Sequence, residues 1–319
     1  MLVVIDILAA LILFSVPVLV FELKRRKAAD KDNRENFKQY LLTNKLSLLI
    51  HILIGVFFAY TYFPLRYLHS PWKMFGFLHT YLFIASLVLP FALAYLVKGT
   101  NKAKLLAIIL SSILLLSPLT RPFLLPLVRD MTSIASWDMA IPFNLCNISA
   151  LVYLLAILTN NKTLKNYMIT FGLFGGLINN IQAHNTFMGT FWYYLTAESY
   201  FVHVLIIGIP IFMLLTNQIK PSIKHSLYNA AWVFPFFFLA GFLINPAWKT
   251  NFHFTKPIPF TQAFIPTLKN PLIIFGEAVD PLYMAVFALL IAVACVLLYL
   301  LSILLYKYVR PKFTDKINE

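Results

Sequence analysis

Apolar runs long enough to cross a lipid bilayer recur along this chain, and that recurrence constrains the fold more than any motif in it. A crossing helix needs about 20 mostly apolar residues at ~1.5 Å of rise each. Nine stretches read this way: Leu2–Phe21, Leu46–Tyr62, Phe75–Val97, Leu105–Leu119, Ile141–Leu158, Tyr167–Ala183, Glu198–Leu215, Leu227–Ile244 and Leu282–Tyr306. In hydrocarbon every backbone N–H and C=O must pair within its own segment, so these runs are helices. The expected fold is all-α, a polytopic transmembrane helical bundle of about nine spans. The fourth run can continue through the proline-broken Leu124–Val128, and the eighth is short and contains Pro235.

Composition agrees that lipid is the solvent. The chain is 60% hydrophobic and 12% charged, against about 25% charged in a soluble domain, and its mean hydropathy is +0.78. A soluble fold of this size has too much surface to hide so much apolar side chain. The net charge of +14 does not point to nucleic acid. Its Lys and Arg sit in short segments between spans, where they set topology and meet anionic headgroups, and no nucleic-acid-binding module is present. With the N-terminus outside and the C-terminus cytoplasmic, 19 of the 26 Lys and Arg fall on the cytoplasmic side. Trp72, Trp137, Trp192 and Trp248 then fall at the outer interface and Trp232 at the inner one, where an amphipathic ring is favoured. The first run follows Met1 without a basic segment and ends in Lys24-Arg25-Arg26-Lys27, so it is expected as an uncleaved anchor. Residues 22–45 read as a basic cytoplasmic loop with a surface-lying helix. Residues 245–281 read as a long proline-rich external loop whose Leu272–Phe275 patch dips into the interface or caps a cavity.

Polar groups inside a bilayer are costly, so their placement is informative. His79, Cys146 and His203 lie four to five residues into three outside-to-inside spans, roughly 6–8 Å below the outer edge. Asn144 and Asn147 flank the cysteine, Asn179 and Asn180 close the sixth span, and the external loop brings Asn251 and His253 to the same side. A thiol beside an imidazole is a nucleophile and a base, and amide N–H groups can hold an oxyanion. Blander readings stand beside this one. A lone Cys in a helix is more often a small buried hydrophobe, and His or Asn between helices is more often hydrogen-bonding glue. Cys295, among Val and Leu, reads as packing, and His51, near the inner side, as structural. Two cysteines make neither a disulfide framework nor a zinc pattern. No metal or other cofactor is expected.

At Ile141-Pro142-Phe143-Asn144-Leu145-Cys146 the chain resembles the YwaF-like family of seven-span membrane proteins, which includes the eukaryotic transmembrane protein 164. Further matches are the Gly-rich Phe171-Gly172-Leu173-Phe174-Gly175-Gly176, the helix start Tyr200-Phe201-Val202-His203, and Asn251-Phe252-His253-Phe254 with Lys256-Pro257. His79 matches an early His of the family's first helix. The resemblance covers about residues 75–306. It implies three regions: an N-terminal extension 1–74 with two transmembrane helices and the basic loop, a seven-helix membrane core 75–306, and a basic cytoplasmic tail 307–319. Two departures are visible. Asn144 stands where the family carries a His two residues before the Cys, and Ala183-His184-Asn185-Thr186 replaces a Thr-Pro-Asp-like stretch.

The resemblance implies a cysteine-dependent acyltransferase or transacylase acting on phospholipid at the outer leaflet, with membrane lipids as its partners. Cys146, His203 and His79 are the candidate catalytic residues. Asn144, Asn147, Asn179, Asn180 and Asn251 are the candidates for substrate binding. An alternative is a transporter or lipid-translocating protein, whose polar residues would continue to the cytoplasmic side. A third reading is a non-catalytic scaffold or sensor.

Overall fold

A computed structural model of the chain describes residues 77–98, 101–128, 144–181, 194–257, 261 and 264–314. The first two apolar runs, the basic loop between them, His51, and the tail beyond residue 314 lie outside these residues. Among the described residues there are seven helices and one small hairpin. Helix α1 is Phe77–Leu96, α2 Ala103–Val128 and α3 Leu145–Leu158. Helix α4 comes in three pieces, Lys162–Tyr167, a π turn at Met168–Gly172, and Leu173–Ile181. Helix α5 is Tyr194–Leu215. Helix α6 runs from Ile223–Leu239 through a π turn at Ala240–Ile244 into Asn245–Trp248. Strands β1 (Leu272–Ile274) and β2 (Glu277–Val279) pair antiparallel, with Phe275 and Gly276 at positive φ in the turn. Helix α7, Pro281–Leu304, continues through a π turn at Leu305–Val309.

Three described helices are long and apolar enough to cross a membrane: Ala103–Thr120, Ile223–Trp248 and Pro281–Lys312. Phe83–Leu96, Leu145–Leu158 and Ser199–Leu215 are apolar but shorter. The described residues thus form an α-helical membrane protein with three such helices; two of the nine expected runs lie outside the described residues. One described run departs from its expectation. The sixth run begins one turn inside a helix that opens on Lys162 and Lys165 and changes pitch at its π turn, so no uninterrupted apolar helix forms there. The fourth run does carry on through its prolines to Val128.

Contacts divide the chain into two units, Met1–Ala92 with Ala183–Ser199, and Leu93–Gln182 with Tyr200–Glu319. In the first, His79 and Ser86 are buried on α1. In the second, α3 packs against α2 and α4, while α7 packs on the π turn and last piece of α4. The outward faces stay apolar. Leu289, Val293, Val296, Leu300 and Leu304 make an exposed stripe down α7, whereas Met284, Phe287, Ile291 and Cys295 are buried. An exposed aliphatic stripe at helical spacing is what lipid contact requires and water would oppose.

Hydrogen bonds tie the basic helix ends of this second unit together. Lys98 Nζ donates to the Lys312 carbonyl and Lys165 Nζ to that of Gln218. Asn217 Oδ1 accepts from both Tyr306 and Arg310. Asn166 spans Lys162, Lys220 and Ser222, and Asn229 joins Thr163 to Trp232. At this end the buried amides of Asn166 and Asn229 are bonded by backbone groups and the Trp232 indole, as a low-dielectric setting demands.

Candidate functional site

The site is built around two glycines. A Cβ on Gly175 would meet the Leu145 side chain at 3.3 Å, and one on Gly176 would meet Ile207 at 2.8 Å and the His203 carbonyl at 3.4 Å. Adjacent residues differ by only ~1.5 Å in rise and point about 100° apart. The start of α3 and the middle of α5 therefore flank the last piece of α4 at one level. Cys146 stands 12 residues before the end of α3 at Leu158, and His203 stands 12 before the end of α5 at Leu215, which is about 18 Å in each case. Lower down, the Tyr153 hydroxyl crosses from α3 to the Ile206 carbonyl at 2.9 Å and leans on the Met168 carbonyl at 3.4 Å. Tyr167 bonds Ser149 at 3.1 Å. These buried phenols lock α3, α4 and α5 in register beneath Cys146 and His203.

His203 is buried on α5, and its Nδ1 lies 3.1 Å from the Asn179 side-chain nitrogen on α4. Which ring nitrogen carries the proton follows from which way that amide is turned. If Asn179 presents its oxygen, Nδ1 carries the hydrogen and Nε2 is left basic. A 180° turn of the amide reverses the assignment without moving a heavy atom. Cys146, in the first turn of α3, is half-buried, with its sulfur 3.9 Å from Asn147 Oδ1. Asn147 and Asn180 are buried.

Asn144 takes the N-cap position of α3 but does not cap it. Its Oδ1 instead accepts the backbone N–H of His253 at 3.2 Å. That contact brings the segment after α6 back to the cysteine end of α3. Several side chains hold the segment there. Asn245, fully buried, uses Oδ1 for Phe252 N and Thr250 Oγ1, and Nδ2 for Phe252 O and Thr255 Oγ1. Asn251 spends both ends of its amide on the Lys256 backbone. Lys256 pairs with Glu277 of β2 at 2.8 Å, which holds that carboxyl below its usual range. Gly241 leaves room for Met284 and Thr255, which a Cβ would strike. The bent segment puts His253 and Phe254 at φ 58° and 55°, a region that bulky residues seldom adopt.

Cys146, His203, Asn144, Asn147, Asn179, Asn180 and Asn251 all belong to the second unit, while His79 belongs to the first. The structure joins Asn179 to His203, and Asn144 to the segment bearing Asn251; Asn251 itself serves as a brace of that segment. Among the described residues, no group of three or more His, Cys, Asp or Glu is placed to hold a metal. Sequence reading passed over Asn245, Tyr153 and the inward placement of His253. A buried-polar signal was present for Asn245, an amide between apolar Ile244 and Pro246; nothing in the sequence marks the positive φ of His253.

A family model, the TMEM164 family, matches residues 69–306, which is the same stretch as the resemblance to within six residues at its start. No curated protein matches the chain, and no solved structure does.

Proposed function

The chain belongs to the TMEM164 family, and from that premise we propose that it is a cysteine-dependent phospholipid acyltransferase or transacylase working at the outer leaflet of the cell membrane. The topology that goes with this reading has nine spans, the N-terminus outside and the C-terminus in the cytoplasm. The observation that carries it is the glycine pair, which sets the Cys146 turn and His203 on two flanks of one helix at one level, with Asn179 against the imidazole. Cysteine, histidine and an orienting amide form a known acyl-transfer constellation.

In this reaction the Cys146 thiol gives its proton to His203 Nε2, and the thiolate attacks the ester carbonyl of a phospholipid. The carbon–oxygen bond breaks, the departing lysolipid oxygen takes the proton back from His203, and the acyl group is left as a thioester on Cys146. A lipid hydroxyl or water then attacks the thioester, passing its proton through His203 to the leaving thiolate. With its amide turned so that the oxygen faces Nδ1, Asn179 holds the ring by accepting from Nδ1–H. Asn144 keeps its Nδ2 hydrogens for the tetrahedral oxyanion, since only its Oδ1 is committed to His253. An outer-leaflet site favours a phospholipid donor over acyl-CoA.

The buried amides at the basic end weigh against the transport reading, because Asn166 and Asn229 there are bonded into the protein rather than lining a path. The deciding experiment follows exchange of a labelled acyl chain between phospholipids in vesicles containing the purified chain. Exchange is expected from the native protein and not from Cys146→Ala; equal exchange from both overturns the proposal.

A further inference from the structure

The mechanism above gives His253 no part, and three observations single it out. First, its Nε2 is shielded from solvent and meets no hydrogen-bond partner among the described residues. The ring stands edge-on to Phe236 and Phe237, with centroids at 5.5 and 6.3 Å. A polar nitrogen shielded from solvent beside aromatic rings and without a partner is costly, so it calls for an explanation. Second, its backbone is held at φ 58° next to a Phe at φ 55°, a strain that persists only where surrounding structure over-determines it. The bonds of Asn245, Asn251 and Lys256 supply that determination. Third, its N–H is bonded to Asn144, two residues before Cys146. A braced, strained segment that bears an unsatisfied imidazole nitrogen is thus bonded through its backbone to the cysteine end of α3.

We propose that His253 is a second histidine of the lipid site, donating a hydrogen bond from Nε2 to an uncharged ester carbonyl of the bound phospholipid. The proposal rests on the acyl-transfer reading and names the group of the substrate that this site recognises. An apolar enclosure disfavours a charged ring, and burial pushes the His253 pKa down to about 4. A ring that stays neutral suits a carbonyl better than a phosphate, and it is a poor base at neutral pH. His203 and His253 then divide the work, one moving the proton and the other gripping the ester. His253 Nε2 and Asn144 Nδ2, from two elements joined by the 3.2 Å bond, would be the two donors that hold the developing oxyanion.

The test uses the full chain in detergent micelles with Cys146→Ala throughout, so that no turnover interferes. Binding is measured for a diacyl phospholipid and for its diether analogue, which lacks the ester carbonyls. The diacyl lipid is expected to bind about three- to tenfold more tightly, the worth of one neutral hydrogen bond. Adding His253→Ala should equalise the two lipids. Adding His253→Asn, a residue that tolerates the left-handed φ and keeps an N–H donor, should preserve part of the preference. Equal binding before His253 is changed overturns the proposal, and so does a preference that survives His253→Ala. Should the Ala variant not fold, the ¹⁵N shift of His253 Nε2 in the Cys146→Ala chain decides the same question, since it must move with the diacyl and not the diether lipid. The acyl-exchange assay with Cys146 present fails separately: exchange unaffected by Cys146→Ala removes the transferase and leaves His253 to be judged by binding alone.

Discussion

At the scale of single residues, the imidazole–amide pair makes the sharpest demands. In the proposed mechanism Asn179 does not meet the substrate; lying against Nδ1, it sets the tautomer of His203. Asn179→Ala should lower kcat for acyl exchange at least about tenfold with little change in KM, because the ring then loses its orientation and not its substrate. Asn179→Asp keeps an acceptor at Nδ1–H, and is expected to recover activity while shifting the pH–rate profile upward, as a carboxylate favours the imidazolium. An unchanged profile would make Asn179 a packing residue. His253 gives a pH signature of another kind. Its pKa falls from 6.5 to about 4 on folding, so between these values the unfolded chain binds the extra proton and the folded one does not. Stability must then be full above about pH 6.5 and decline as pH falls toward 4. Thermal unfolding from pH 7.5 to 4.5 should show a steeper fall for the native chain than for His253→Asn. These residues were unequally legible in the sequence. Cys146, His203 and Asn179 stand out because polar atoms in apolar runs are conspicuous. His253 does not, because a loop gives no sign of folding back until its brace, Asn245, is seen buried.

At the scale of elements, close approach between helices sets what each glycine must be. A Cβ on Gly172 would collide with the Tyr153 ring and hydroxyl, breaking the bond that carries α3 to α5. Gly172→Ala is expected to cost about 1–3 kcal/mol, read as a lowered Tm in detergent. A Cβ on Gly176 meets the γ carbons of Ile207 and Ile206, which are stiff at χ1, and then the His203 carbonyl. Gly176→Ala should cost a similar amount of stability but lower acyl exchange more, since it pushes α5, and His203 with it, away from α4. If both variants lose activity only in proportion to stability, the glycine pair is packing and not alignment. Hydropathy located the helices well and their ends poorly. It found α7 and α6, whose apolar character is continuous, but it could not see that α6 passes through a π turn to Trp248, or that α4 starts at Lys162. Hydropathy registers solvent preference per residue and is blind to which carbonyl each N–H finds.

At the scale of the whole molecule, the second unit has two chemically distinct ends. One gathers Lys98, Lys165, Lys220, Arg310 and Lys312; the other holds Asn144, the braced segment and the β1–β2 hairpin. In the proposed topology the basic end would face the cytoplasm, as the positive-inside rule prefers. A membrane-impermeant maleimide applied to intact cells should label Lys269→Cys and spare Lys224→Cys, both at exposed positions, in a chain without its native cysteines. The reverse pattern would place the site at the inner leaflet. The π turn at Met168–Gly172 ties this arrangement to chain length. A π turn holds one residue more than an α turn over the same stretch, so it takes up that extra residue without changing which way the two halves of α4 face. Deleting a single residue there would restore an even helix and leave Asn179 on the side of His203. Deleting one instead from the regular turns between Leu173 and Asn179 would swing that amide aside by about 100°, parting it from the imidazole without the loss of either group.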